Sequence, residues 1–466
     1  MGIRPAGQSP KTRPTTERLA EFAAHTSWDD LQRPVREKVA LHTLDIVGVA
    51  AAGSTKPWNA LVRQYAVEES RPGPCHVIGA TERVRADWAA MANATAAHGI
   101  ELDDYHVPAA VHAGCVVIPT VLALGEALGA TSMQAMTAAA VGLEVVIRLG
   151  LAFSPEMTLD RGFHVTSAFG GIGAAAAAIS LQRLSVEQGS SAIGLAIAQA
   201  GGTTEYTRSG GEVKRLHAGF AAAAGVRSAA LASRGATGPA HAIEGPKGFA
   251  TAFAGSRADL GFLTEDLGQQ WNLAGLGVKT WCTCTGNHAS VAAMASLRER
   301  GLQPEDVVRI TAFVDAVTAE HCGHVGPRAR DVTGAQFSLQ VSVAMQLVLK
   351  GNDLRHYDAM EQQNFDIPDV NRIADKVTVR IGAEQDAAFG SAPSARLVVE
   401  LADRSTVVAD AVAPGSPGHP VEWAAVAAKA HTCADNVLGP HEVHRIIGAL
   451  SSWVELDQPI VDLLGN

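Results

Sequence analysis

Between residues 210 and 232 the chain changes character in a way that leaves few folds open. Gly210-Gly-Glu-Val-Lys-Arg-Leu-His-Ala-Gly-Phe220 groups Lys214, Arg215 and His217, and an Ala-rich run then continues to Ala232. That run has too little polarity to turn any side to water, so it predicts a buried helix. Runs of the same kind at Ser132 to Leu149, Ser167 to Leu181 and Ser185 to Gln199 supply helices to bury it. Apolar residues make up 47% of the chain but aromatics only 5%. Such a composition suits helices packed closely through small residues. Two cations at the start of a buried helix imply an anion. The helix N-terminus adds free N–H groups and partial positive charge. The stretch therefore reads as an anion-binding site with Lys214 as its acid/base. The alternative is a pair of solvated cations capping a loop.

Further helices are predicted on either side. Thr15 to Ala52 reads as two, with Thr16 as an N-cap, and Gly53 to Pro57 ends the second. Trp58 to Glu69, Asp87 to Ile100 and Val116 to Leu128 follow, the last with Pro119 in its first turn. Cys75 to Ile78 is too short to assign as strand. The pattern changes near Trp271. Leu276 to Trp281 looks like a strand, Asn287 to Arg300 a helix, Val307 to Val317 a β-rich run, and Phe337 to Leu349 a helix. Lys376 to Ile381, Ala395 to Leu401 and Ser405 to Val412 alternate as antiparallel strands. Pro414 to Pro420 is a break, and Val421 to Leu464 is helical. The fold class is mainly α with an α+β second domain: residues 1–270 all-helical, 271–413 α+β, and 414–466 rejoining the helices. A chain of 466 residues has room for two or three domains.

The net charge of −10 argues against nucleic acid or an anionic membrane as partner. An anionic substrate then needs a local basic site. The N-terminal sixteen residues lack the apolar core of a signal peptide, and no apolar run has both spanning length and a lipid-facing character. Cysteines 75, 115, 282, 284, 322 and 433 are scattered without a disulfide framework, which fits a reduced, cytoplasmic protein.

Three other stretches carry chemistry. Glu101-Leu-Asp103-Asp104-Tyr105-His106, followed by His112, clusters carboxylates whose repulsion raises at least one pKa and suits acid/base work; a polar loop capping the next helix is the competing reading. EF-hand spacing for calcium is missing. His164 precedes a Gly/Ala-rich helix, whose N-terminus favours a neutral imidazole; a satisfied core histidine is the alternative. Gly171-Ile-Gly173 lacks the preceding strand and the acidic residue of a dinucleotide loop. Lys279-Thr-Trp-Cys282-Thr-Cys284-Thr-Gly-Asn-His288 offers zinc ligands, but neither its spacing nor His321 and His324 completes a standard set. No metal and no organic cofactor are expected.

Taken together, Lys214-Arg-Leu-His217-Ala-Gly, Glu101-Leu-Asp-Asp104 with His112, Gly162-Phe-His164, Lys279 through His288 and Ala335-Gln-Phe-Ser-Leu339 resemble the MmgE/PrpD family over nearly the whole chain. The family includes 2-methylcitrate dehydratase, cis-aconitate decarboxylase and iminodisuccinate epimerase. The resemblance implies a helical domain built from both chain ends, a smaller α+β lid, a site in the cleft between them, a homodimer, and no organic cofactor. It implies proton removal next to a carboxylate of a polycarboxylate substrate. Acid/base and charge-stabilising roles fall to Lys214, His164, His112, Glu101, Asp104 and His288. Tyr105, Arg208, Arg215, His217 and Cys284 are the expected substrate contacts. This sequence departs from the family pattern at Glu101 (often Asp), Tyr105 (usually Thr), Cys282 (usually Pro) and Val341 (often an aromatic). The missing aromatic hydroxyl at Val341 favours an epimerase of the iminodisuccinate type. The alternatives are a 2-methylcitrate dehydratase-like or cis-aconitate decarboxylase-like lyase, and a non-catalytic metabolite-binding protein.

Overall fold

Close helix contact through alanine and glycine sets the architecture of the larger part of the molecule. The computed structural model describes residues 13–154, 156–255, 258–390, 393–461 and 463–464; most of the N-terminal stretch judged not to be a signal peptide lies outside them. The helices are α1 (Thr15–His25), α2 (Arg33–Ser54), α3 (Pro57–Glu69), α4 (Ala86–His98), α5 (Gly114–Leu128), α6 (Ser132–Phe153), α7 (Val165–Gln182), α8 (Val186–Ile197), α9 (Tyr206–Ser209), α10 (Val213–Ala232) and α11 (Gly261–Thr264). A short antiparallel ribbon, β1 (Pro72–His76) with β2 (Arg83–Val84), sits between α3 and α4.

Helix α10 packs on α7 and α4, and α7 on α6. The approach of α10 to α7 depends on Gly225, where a Cβ would lie 2.3 Å from that of Ala174. Adding that one methyl would push the helices apart, at about 1–3 kcal/mol for an overpacked core. Helices α6 and α7 are long and apolar enough to cross a membrane, yet 94% and 83% of their apolar windows are buried inside the protein. They are core helices here.

The second unit holds α12 (His288–Glu299), β3 (Val307–Val314), α13 (Ala316–Thr318), α14 (Val332–Phe337), α15 (Leu339–Val348), α16 (Leu354–Gln362), α17 (Pro368–Ala374), β4 (Val377–Ile381), α18 (Ala383–Ala388), β5 (Ser394–Leu401) and β6 (Thr406–Val412). Its sheet has the order β4-β3-β5-β6, with α12 against β5 and β6. The chain then returns as α19 (Trp423–Leu438) and α20 (Pro440–Ser452), both packed on α2. Gly48 of α2 comes so near α19 that a Cβ there would lie 3.0 Å from the Ala430 Cα.

Several expectations are corrected. Leu276 to Trp281 is no strand. It runs between the two units, and its backbone bonds to loops on both sides: Gly277 exchanges hydrogen bonds with Tyr105, Val278 N–H donates to the Gly415 carbonyl, and Cys282 N–H to that of Asn352. Strand β4 pairs parallel to β3, not antiparallel, with Ile310 opposite Val377; the helices between them carry the chain back to the same edge. The Phe337 to Leu349 helix breaks at Ser338, whose hydroxyl caps α15 by accepting from Val341 N–H. Thr16 lies inside α1; its hydroxyl donates to Glu244 at 2.8 Å and accepts from Ile243 N–H. The C-terminal helices stop at Ser452, after which Thr131 bridges to Pro459.

Candidate active site

A cavity of about 400 Å³ lies between the two units, lined from the helical side by Glu101, Tyr105, His106, His112, His164, Tyr206 and Lys214, and from the other by Cys284, Asp315, His321, Cys322 and Phe337. The helical wall begins where α4 ends. Gly99 closes that helix, and Glu101 then takes a left-handed backbone conformation, with φ at 56°. Such a turn costs a non-glycine residue about 1–2 kcal/mol. It is held because both carboxylate oxygens of Glu101 find ammonium groups. Lys214, in the first turn of α10, donates to one oxygen, and Lys279 donates to the other at 3.2 Å.

Asp103 extends the network. One oxygen receives Lys279 at 3.5 Å and the other faces His98 Nδ1 at 2.7 Å. Burial alone would raise the Asp103 pKa, but His98 and Lys279 outweigh it and hold the carboxyl well below its ordinary range. Burial, reinforced by Lys279, lowers the Lys214 ammonium well below the usual lysine value. Removing the proton from Lys214 is thereby made easier, which is what an acid/base at neutral pH requires. The ammonium also lies 5.3 Å from the centroid of the Phe337 ring, so part of its field is answered by an aromatic face.

The histidines are kept neutral. His112 Nδ1–H donates to the Asp104 carbonyl at 2.7 Å, which leaves Nε2 to act as acceptor or proton carrier. Burial lowers the His112 pKa against the opposing pull of Asp103. His164 stacks on His98 at 5.5 Å, and its Nδ1 shares a hydrogen bond of 2.9 Å with His217 Nδ1. Burial, and then the neighbouring His98 and His217, push the His164 pKa well down. On the facing wall, the Cys322 thiol donates to Cys284, and Lys279 and Lys214 add their charge, so the Cys284 thiol falls below its ordinary range.

The structure therefore brings Lys214, Glu101, His112, His164, Tyr105 and Cys284 to one cavity. The Tyr105 hydroxyl is buried without a hydrogen-bond partner among the described residues. Other expected residues stand elsewhere. Asp104 turns away and accepts the Gly114 N–H at 2.9 Å, at the start of α5. A Cβ at Gly114 would meet that carboxylate at 2.8 Å, so the glycine and the aspartate form one structural device. Burial, then Asp103, raises the Asp104 pKa to about 8. His288 is walled off between Tyr105 and Trp281. Arg208 is 66% exposed and faces Glu320 at the surface. Arg215 is buried over the Trp58 ring and donates to the Gly99 carbonyl, so it braces the Glu101 turn and does not line the cavity. His217 reaches the cavity only through His164 and lines a smaller cavity behind it. Cys282, Cys284 and His288 do not converge: Cys284 faces the cavity, and the other two are buried behind it. Val341 is buried in the core of the α+β unit and does not line the cavity.

Sequence reasoning passed over four contributors. Lys279 was seen only as the start of a cysteine segment, although a lysine within Leu-Gly-Val-Lys-Thr-Trp is a signal in itself. His98 ends α4 next to Gly99, a position where a helix-end cation or imidazole is common. Tyr206 packs edge-on against His164 at 5.6 Å, and Asp315 caps α13 by accepting from Thr318 N–H; neither stands in a motif.

The profile of the MmgE/PrpD N-terminal domain matches residues 17–260, and that of the MmgE/PrpD C-terminal domain matches residues 281–455. A cis-aconitate decarboxylase of Aspergillus terreus is 28% identical over 474 aligned residues, covering 96% of this chain and 95% of its own. A cis-aconitate decarboxylase-like protein of Aspergillus oryzae is 29% identical, with 96% of each chain covered. The human cis-aconitate decarboxylase is 29% identical over 57% of each chain. With both family domains matched in order and spanning most of its length, the chain belongs to the MmgE/PrpD family.

Proposed function

We propose that this enzyme is a lyase that decarboxylates an unsaturated polycarboxylate of the cis-aconitate class. The observation that carries the reading is a buried ammonium, Lys214, set on one wall with the neutral imidazoles of His112 and His164, in a cavity that also presents Val107, Pro108, Phe163 and Phe337. The names of the relatives point the same way. The preference for an epimerase rested on Val341, and a residue outside the cavity cannot decide the chemistry there. Two tyrosines, Tyr105 and Tyr206, line the cavity instead.

The reaction breaks the bond from a methylene carbon to its carboxylate. CO₂ leaves, and the electron pair moves through the neighbouring double bond to the carbon beside a retained carboxylate. Charge accumulates on that carboxylate, where Lys214, backed by Lys279, stabilises it. In a water-poor site such fixed charges are worth far more than in bulk solvent. One proton taken up from water then passes to the carbon through an imidazole, His112 at Nε2 or His164, completing the balance of one CO₂ lost and one proton gained. The apolar residues of the cavity favour the step because the departing group goes from anion to neutral gas.

The test is proton NMR in D₂O with cis-aconitate, citrate-type hydroxyacids and amino- or imino-dicarboxylates, with CO₂ measured in parallel. The expected outcome is CO₂ release, a shifted double bond and one deuterium at the new methylene. Deuterium exchange without CO₂ would support an epimerase instead, and loss of water from a hydroxyacid a dehydratase.

A further inference from the structure

Lys429 of α19 lies outside the cavity, yet its ammonium is bound to both segments that carry the ionic network. It donates to the Leu102 carbonyl at 2.8 Å and to the Lys279 carbonyl at 2.9 Å. Its third partner is the Asp45 carboxylate of α2, at 2.6 Å. Two of its protons go to these carbonyls, and the Asp45 carboxylate answers its charge as an ion pair. The side chain is 15% exposed and Asp45 is fully buried. Leu102 stands between Glu101 and Asp103, so one cation fixes the backbone beneath both carboxylates. It also fixes the backbone of the lysine that bridges them.

We infer that Lys429 is a positioning residue for the reaction: it holds the Glu101–Asp103 turn and the Lys279 segment at the separation that lets Lys279 bridge the two carboxylates and leaves Lys214 aimed into the cavity. The inference rests on the reading of that network as the catalytic charge cluster. The ammonium joins the two backbones at Leu102 and Lys279 themselves. Gly277 and Tyr105 pair further along, beyond Asp103. Without the ammonium, two buried carbonyls lose a donor and the turn at Glu101, already in a left-handed conformation, loses one of its anchors. Displacement of reacting groups by about 1 Å costs on the order of a hundredfold in rate.

The experiment compares Lys429→Met, Asp45→Asn and the double variant, measuring kcat, KM and thermal midpoint for each. Lys429→Met strands the buried Asp45 charge, so the double variant, with the charge removed as well, carries the decision. The expected result is that the double variant melts near the parent while kcat falls at least about tenfold and KM changes by less than about threefold, because the group lost does not touch substrate. Asp45→Asn, which keeps the bonds to both carbonyls, loses stability more than turnover. A double variant with parental kcat overturns the inference, as does one whose KM alone rises. Binding of a tricarboxylate, followed by calorimetry on the same proteins, separates the two levels. A parent that binds and turns over no polycarboxylate sinks the functional reading, whereas an active parent with an equally active double variant sinks only the role of Lys429.

Discussion

On the helical wall of the cavity every charged group answers to at least one other: Lys214 and Lys279 share Glu101, Lys279 also meets Asp103, and Asp103 meets His98. On the opposite wall Cys284, Asp315 and His321 stand on short helical turns, and the Cys322 thiol donates to Cys284. The first wall holds charges in mutually fixed positions, as transition-state stabilisation demands. The second shapes the space above them. The difference teaches where rate and where selectivity should reside, and substitutions on the two walls can break or sharpen it.

The largest effect is expected at Lys214. Lys214→Ala should lower turnover at least about a hundredfold, the scale of a lost acid/base or electrostatic group. The ammonium is buried rather than at a cleft mouth, so the substitution also leaves Glu101 short of a counter-charge. Pairing it with Glu101→Gln should restore the thermal midpoint but not the rate. Lys214→Arg keeps the charge but stays protonated; retained activity assigns Lys214 to charge stabilisation, and loss assigns it to proton transfer. A Lys214→Ala enzyme as fast as the parent would erase the contrast between the walls.

His112→Gln comes next, with a loss of about ten- to a hundredfold, smaller because His164 offers a second imidazole on the same wall. Steady-state kinetics with the preferred polycarboxylate checks it. Across the cavity, Cys284→Ser should cost less than about tenfold, the worth of one hydrogen bond, and should change the ranking of substrates more than the best rate. A hundredfold loss there would move chemistry onto the second wall.

The smallest effect on rate is expected at Asp104, behind the helical wall. Asp104→Asn should keep kcat within about twofold, as substitutions outside the reacting set usually do. Its signature is in stability. The folded carboxyl titrates at about 8, against about 4 in an unfolded chain. Between those values the native state holds the extra proton, so this group's contribution to stability falls as pH rises from about 4 to about 8. Thermal midpoints at pH 5 to 8 should decline more steeply for the parent than for the asparagine variant. Parallel curves would mean that Asp104 is ionised throughout.

The legible part of the site lay where polar residues interrupt an otherwise apolar helix pattern. Lys214 before an alanine run, His164 before another and the carboxylates after α4 all announce themselves in this way. Lys279 did not, because its meaning depends on Glu101, 178 positions away, and the apolar residues around it imitate a strand. The same limit applied to Asp104, which looked catalytic among its acidic neighbours until the Gly114 N–H was seen to claim it. In the fold, helix periodicity located the long helices, since burial on one or all faces is a local pattern, but not short ones such as α9, α11, α16, α17 and α18. The direction in which β4 joins its sheet depends on the path of the connection and has no local signature.

The return of α19 and α20 to α2 has a consequence for how the protein is made. Helix α2 leaves the ribosome early, but the helices that cover its outer face are the last to be synthesised. At about 5–20 residues per second the delay lasts on the order of tens of seconds. Throughout it the nascent chain carries α2 without the helices that pack on it last, and the α+β unit is itself completed only shortly before them. Trigger-factor-like holdases should therefore engage this chain at α2, and release it only when Trp423–Leu438 has docked.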